Sequence, residues 1–221
     1  MTLLPADDTP QYAYERDPAA IYRQSFSIVR QEADLSHLPK ALHPTAVRLI
    51  HSCGMTDLPR DLMWSDEVVE AARAAFAKGA PVFCDVEMVA YGIIKNRLPK
   101  GSEVICTLND PLVPGLASEL KTTRSAAAVE LWRDRLDGAI VAIGNAPTAV
   151  FHLLEMIAAG GPKPAVILGF PVGFVGAAES KDALASNPFS VPYLAVKGRR
   201  GGSAMAAAAV NALAAGLPEE G

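Results

Sequence analysis

The chain contains no G-x-G-x-x-G, no G-x-x-x-x-G-K-[ST], no H-E-x-x-H and no G-x-S-x-G in its 221 residues. Their absence removes the commonest dinucleotide, phosphate-loop, zinc-protease and serine-hydrolase readings. Cysteine is scarce. Cys53, Cys84 and Cys106 stand far apart and are odd in number, so neither a disulfide framework nor a zinc site is expected, and buried free thiols in a reducing cytoplasm are. The four histidines, His37, His43, His51 and His152, form no i, i+4 pair, so no metal site is expected. No apolar run reaches the ~20 residues of a membrane span, and the N-terminus lacks the basic start and apolar stretch of a signal peptide. There is no cationic excess either: 20 Lys and Arg face 24 Asp and Glu, for a net charge of −4. That disfavours broad nucleic-acid binding, and the expectation is a soluble, cytoplasmic protein that binds neither nucleic acid nor membrane.

What is present is half apolar, with a mean hydropathy of +0.20, enough for one sizeable core. Asp17-Pro18 reads as a helix start, and the helix should run to about Ala33, with Ile21, Ser25, Ile28 and Val29 on one stripe. A second helix covers about 44–53, from Pro44 to a stop at Gly54. A third covers about 66–78, and 125–136 reads as another. Five apolar segments, 81–85, 103–107, 139–143, 165–169 and 192–196, read as strands alternating with helices. The pattern predicts a three-layer α/β/α fold on a mostly parallel sheet, with N-terminal helices. Residues 17–215 read as one domain, 1–16 as a flexible tail and 216–221 as a short C-terminal tail.

The second half repeats one grammar: apolar strand, glycine-containing polar loop, small-residue helix. Its loops carry Asn145, then Glu179, Ser180 and Lys181, then Arg199 and Arg200. Arg124 and Arg199 each stand at an expected helix start, where a cation is disfavoured unless an anion joins it; a solvent-facing arginine is the plainer alternative. Asn145 is either a turn former or a ligand contact. Ser180 and Lys181 either open a helix or face a ligand, and Asp85 is either a polar cap or a site wall. The run Ala206–Ala209 reads as a close-packed helix face, with a subunit contact as one use of it. His51 sits on an apolar helix face, where burial lowers its proton affinity. It is either a hydrogen-bonded core histidine or an acid–base group. Ser25 either bonds the carbonyl four residues back or meets a ligand. Arg200 and His43 receive no functional role.

Eight segments, IYRQSFSIVRQEADLS, VRLIHSCGM, CDVEMVAYGI, EVICTLNDP, TRSAAAVELW, VAIGNAPTA, PVGFVGAAESKDAL and GRRGGSAMAAAAVNAL, together resemble the precorrin-8X methylmutase family of cobalamin biosynthesis, in order and over nearly the whole chain. The resemblance implies an isomerase that shifts a methyl group from C-11 to C-12 of precorrin-8X to give hydrogenobyrinic acid, without cofactor. It implies a homodimer with active sites near the subunit interface, and hand-over contacts with neighbouring pathway enzymes are a further expectation. The family's catalytic histidine corresponds to His51, the proton donor. Ser25, Arg124, Asn145, Ser180, Lys181, Arg199, Gly201, Gly202 and Ser203 fall on motif positions suited to binding a polycarboxylate. Cobalt-loaded precorrin as substrate, a non-catalytic corrinoid carrier, and an enzyme acting on another polycarboxylate are the alternatives.

Overall fold

The computed structural model describes residues 11–217. The expected outer tail residues 1–10 and 218–221 lie outside the described residues. In chain order the main elements are α1 (Pro18–Glu32), α2 (His43–Cys53), β1 (Leu62–Trp64), α3 (Val68–Ala77), β2 (Val82–Cys84), α4 (Glu87–Gly92), β3 (Val104–Cys106) and α5 (Val113–Glu119). They continue with α6 (Arg124–Glu130), β4 (Ile140–Ile143), α7 (Pro147–Ala158), β5 (Val166–Gly169), α8 (Ala177–Ala185), β6 (Tyr193–Val196) and α9 (Ser203–Ala215).

The strands form one six-stranded sheet in the order β1-β6-β5-β4-β2-β3. The five segments expected as strands are its parallel members. Buried on both faces, they read as unbroken apolar runs such as IVAI and VILG. The sixth, β1, corrects the expected count. It pairs antiparallel with β6, Leu62 opposite Val196 and Trp64 opposite Leu194. Three residues are too few for a period-two pattern to show, and its extended shape comes from its partner.

Alternate side chains along the strands feed two cores. Val82, Cys84, Ile140, Ala142, Val166, Leu168, Leu194 and Val196 pack with α1, α2, α3, α4 and α9. Phe83, Val141, Ile143, Ile167 and Ala195 pack with Val129, Trp132, α7 and α8. Helices thus cover both faces in three layers. Within the first layer, Ala206–Ala209 of α9 are buried inside the chain against α2 and α4, so the run serves internal packing rather than a subunit contact. The approach is close: a Cβ on Gly92 would lie 2.7 Å from that of Ala207. Asn211, buried in α9, accepts from the Ile94 N–H at 2.8 Å and donates to the Gly92 carbonyl at 3.0 Å.

Two further elements differ from expectation. The helix expected over 125–136 ends at Glu130 and passes into a 3-10 turn at Arg133–Arg135. Trp132 at the junction is fully buried, stacks on Phe83 at 5.4 Å and donates its indole N–H to Thr107 Oγ1 at 2.8 Å. The proline-rich segment 109–115, expected as loop, contains the start of α5. Its Pro114 sits in the first turn, where a missing N–H costs nothing.

Neighbouring strands β2 and β4 send their chains to opposite faces, β2 into α4 and β4 into α7. Such a switch in direction opens a crevice at the carboxyl ends of the strands, the usual ligand position in open α/β sheets. Among the described residues no helix is long and apolar enough to cross a membrane.

Candidate active site

The Asp17 carboxylate caps α1 by accepting from the Ala19 N–H at 3.0 Å. Only part of the helix's apolar stripe enters the core: Phe26 and Val29 are buried, whereas Ile21 and Ile28 remain 45% and 43% exposed. These two, with Gln24 and Glu32, wall a cleft of about 370 Å³ whose other side is the end of α2. Gly54 closes α2 in the left-handed conformation (φ 69°), its N–H bonding the Ile50 carbonyl. Val47 and Ile50 are buried, which fixes His51 at the rim of the cleft.

His51 Nδ1 lies 2.7 Å from Ser25 Oγ. The Phe26 ring meets the imidazole edge-on at 5.0 Å and the Tyr22 ring lies at 5.5 Å. Burial lowers the proton affinity of His51 below its ordinary value, and the Arg48 guanidinium, three residues earlier, pushes it the same way. The imidazole is therefore neutral near pH 7, and its imidazolium is a stronger acid than that of a free histidine. When the serine hydroxyl donates to Nδ1, the ring proton sits on Nε2. Serine and histidine on the apolar cleft wall, backed by the Tyr22 and Phe26 rings, can thus hold one proton beside a ligand.

The loops at the carboxyl ends of the strands form a second assembly. Asp85, just past β2, spans the switch-point crevice. Its Oδ1 accepts from the Gly144 N–H at 2.9 Å and its Oδ2 from those of Asn145 and Ala146 at 2.9 and 2.8 Å. Burial raises its proton affinity, and the three N–H groups oppose that rise. Asp85 is thus the polar cap of the Asn145 loop, and the Asn145 side chain stays exposed. Gly144 backs directly onto Ser203, whose Cα would lie 2.7 Å from an added Cβ. Gly201 is wedged against the carbonyl oxygens of Phe170 and Pro171, and the Gly202 N–H donates to Phe170 O at 2.8 Å. Arg199 is exposed, and its guanidinium lies over the Phe174 ring at 5.2 Å. Thr123, capping α6, meets Thr148 at 2.7 Å and so brings Arg124 beside the start of α7.

Several expected site residues have other partners. Arg124 is exposed and satisfies part of its guanidinium on the Leu108 carbonyl (2.9 Å) and Asn109 Oδ1 (3.0 Å), so the chain itself offsets the unfavourable cation at that helix start. Ser180 and Lys181, expected to contact ligand, point into the chain. Both are fully buried; Ser180 Oγ donates to Ala177 O at 3.1 Å, and Lys181 Nζ donates to Arg200 O at 2.6 Å. Burial lowers the Lys181 proton affinity to about 8. The lysine braces the 198–202 loop from within. His43 Nε2 donates to the Leu38 carbonyl at 3.1 Å, a structural contact.

None of Arg124, Asn145, Arg199 or Ser203 lines the cleft that holds His51. The two assemblies are joined by Arg200, assigned no role from the sequence. Its guanidinium bonds Asp57 at 2.7 Å and lies 3.5 Å from Asp61, tying the 198–202 loop to the segment that follows α2. Asp57 and Asp61 leave no mark in local spacing because their partner Arg200 is over a hundred residues away, and Tyr22 and Arg48 leave none because they meet only where α1 crosses α2. Among the described residues no three of His, Cys, Asp and Glu gather into a metal-ligand cluster.

The precorrin-8X methylmutase family model matches residues 20–215. A precorrin-8X methylmutase of Pseudomonas aeruginosa is 61% identical over 201 residues, covering 91% of this chain and 97% of that protein. One from Sinorhizobium sp. is 59% identical over 205 residues, covering 93% and 98%. A cobalt-precorrin-8 methylmutase of Priestia megaterium is 36% identical over 197 residues, covering 89% and 87%. The crystal structure of the Thermus thermophilus precorrin-8X methylmutase superposes with a TM-score of 0.80 at 39% identity, covering 88% of this chain and 94% of the other. With the shared sheet and a match from α1 to the end of α9, the chain belongs to the precorrin-8X methylmutase family.

Proposed function

We propose that this chain is an isomerase that moves a methyl group from C-11 to C-12 of precorrin-8X, giving hydrogenobyrinic acid, with His51 as proton donor. The observation that carries the mechanism is the Ser25–His51 pair set among aromatic rings in an open apolar cleft. The shift is intramolecular, so no external nucleophile has to be positioned. The protein must hold the ring, exclude competing rearrangements and place one proton. The imidazolium form of His51 delivers a proton to the conjugated system, which withdraws electrons from the migrating centre and lowers the barrier, and the proton returns to His51 once the methyl group has moved. Ser25 keeps the imidazole in one orientation for that transfer.

Arg124, Arg199, the exposed Asn145 side chain and the Gly201–Ser203 backbone are the groups we assign to the substrate's carboxylate arms. Guanidinium–carboxylate pairing suits them. Ser180 and Lys181 act behind that surface, through the loop they brace. The identities of about 60% to relatives named for precorrin-8X, against 36% to one named for cobalt-precorrin-8, support a metal-free substrate. The single sheet supports reading 17–215 as one domain. Phe174 and Val175, 85% and 89% exposed, support a homodimer in which a second copy covers this loop.

Purified protein mixed with excess precorrin-8X should develop the hydrogenobyrinic acid chromophore through many turnovers. Binding without conversion would leave a carrier in its place. Preference for the cobalt-loaded ring would move the chain to the other branch of the family.

A further inference from the structure

The cleft beside His51 has one ionised side chain among its described lining residues, the carboxylate of Glu32. No lysine or arginine is among them: Arg48 is 6% exposed and packs beside the Tyr22 ring, off the cleft wall. Glu32 follows Ser25 by seven residues, two turns further along the same face of α1 and about 10 Å away along the helix axis. It is exposed, and no ion pair among the described residues includes it. It is also the last residue of α1, where the helix end is already negative and a carboxylate is disfavoured. Arg30, in the same last turn, lines a separate hollow with Lys40 and His43. The acid at position 32 therefore adds its charge to that of the helix end, inside the cleft that holds the proton donor.

The cations lie elsewhere. Neither Arg124 nor Arg199 lines the cleft. The site is thus polarised, cationic at the strand-end loops and neutral to negative beside His51. A macrocycle edged with carboxylate arms has several edges it can turn toward the histidine. An edge that brings an acid arm against Glu32 sets like charges together in a partly enclosed space, where water screens them poorly. An edge without such an arm meets no repulsion, and the half-exposed Ile21 and Ile28 offer it apolar contact. We propose that Glu32 is a specificity-determining residue that turns carboxylate arms away from the cleft, so that the macrocycle presents its C-11 to C-12 edge to His51. This deepens the methylmutase reading and rests on it.

A filter against wrong orientations has a kinetic signature that a structural role lacks. Substrate held in unreactive poses occupies the enzyme without reacting, so kcat and KM fall by the same factor and kcat/KM stays constant. With precorrin-8X, Glu32→Gln should show this pattern, both constants falling roughly three- to tenfold. It should bind hydrogenobyrinic acid at least as tightly as wild type, and the fully amidated counterpart of that acid equally. Glu32→Asp keeps the charge and should restore wild-type kinetics. The melting temperature of Glu32→Gln should not fall, because the lost charge sat at the negative end of a helix; a fall would mark the residue as structural and overturn the filter. Unchanged kcat and KM in Glu32→Gln overturn it too. So does a fall in kcat/KM, which would make Glu32 a group that stabilises positive charge on the ring in the transition state. Absence of turnover in the wild-type protein overturns the methylmutase reading instead, and the filter with it.

Discussion

Ser25 Oγ and His51 Nδ1 stand 2.7 Å apart although 26 residues separate them in the chain. The pair makes two different losses measurable. His51→Ala should fold and still bind hydrogenobyrinic acid while turnover falls by about 10²–10⁴, the usual worth of a positioned proton donor. Ser25→Ala keeps the donor but frees the ring, and should lower kcat by roughly tenfold, the equivalent of one hydrogen bond. Single-turnover kinetics with product-binding titrations would separate the two, and full turnover in His51→Ala would remove it from the mechanism.

The fold favours neutral His51, because burial first and Arg48 second lower its proton affinity. The folded protein therefore takes up its proton later on acidification than the unfolded chain, whose histidine titrates near 6.5. The stability His51 contributes is complete above about pH 6.5 and is lost as pH falls through the folded value. An NMR titration of the imidazole should give a midpoint below that of a free histidine, moving upward in Arg48→Met. A wild-type midpoint at or above the free value would contradict the electrostatics described here.

Asp85 accepts three backbone N–H groups of the Asn145 loop. Asp85→Asn keeps the shape but turns one acceptor into a donor that faces donors. We expect a loss of about 2–4 kcal/mol in denaturant unfolding, from N–H groups left dry. Ligand affinity should fall with it, because Asn145 loses its anchor. An unchanged midpoint would mean the loop finds other acceptors.

A Cβ at Gly201 would collide with Phe170 O and lie 2.6 Å from Pro171 O, both backbone atoms that cannot rotate away. Gly201→Ala should therefore displace the 198–202 loop and weaken product binding more than it lowers the melting temperature. Faster amide exchange confined to this loop would report the displacement. Global unfolding, or no change, would contradict it.

Lys181 is fully buried and its proton affinity falls to about 8. Between that value and the ordinary ~10.4 the unfolded chain holds a proton the folded protein has released. Stability should thus rise with pH across this window. The Lys181→Met variant should lack that rise, which unfolding midpoints at pH 8 and pH 10 would reveal.

The parallel strands were legible in the sequence because strands buried on both faces leave long apolar runs bounded by glycine and proline. The helix starts at Asp17-Pro18 and His43-Pro44 were legible because the Asp17 cap and a first-turn proline are local chemistry. Ser25 and His51 were each marked as polar groups on apolar faces, but their contact depends on how α1 crosses α2, and local spacing holds no record of it. The inward reach of Lys181 to the Arg200 carbonyl was not legible, because a long cation in a segment that follows a strand looks locally like a ligand group. Arg48 was hidden in the opposite way, as a charge inside an otherwise buried helical stretch. Edge strand β1 left no pattern because three residues cannot alternate long enough to be seen.

That short strand has a consequence of its own. It leaves the end of α2, where His51 sits, and pairs with β6, which leads into the Arg199 loop. Three residue pairs and the Arg200 bridges are thus the ruler that sets the distance between His51 and the Arg199 loop. The ruler lies at the sheet's margin, where ladders open first. A preparation with this margin unzipped would keep its core, its helical spectrum and its solubility, and yet turn nothing over. For this protein, the quantity of folded chain and the quantity of working enzyme are separate measurements.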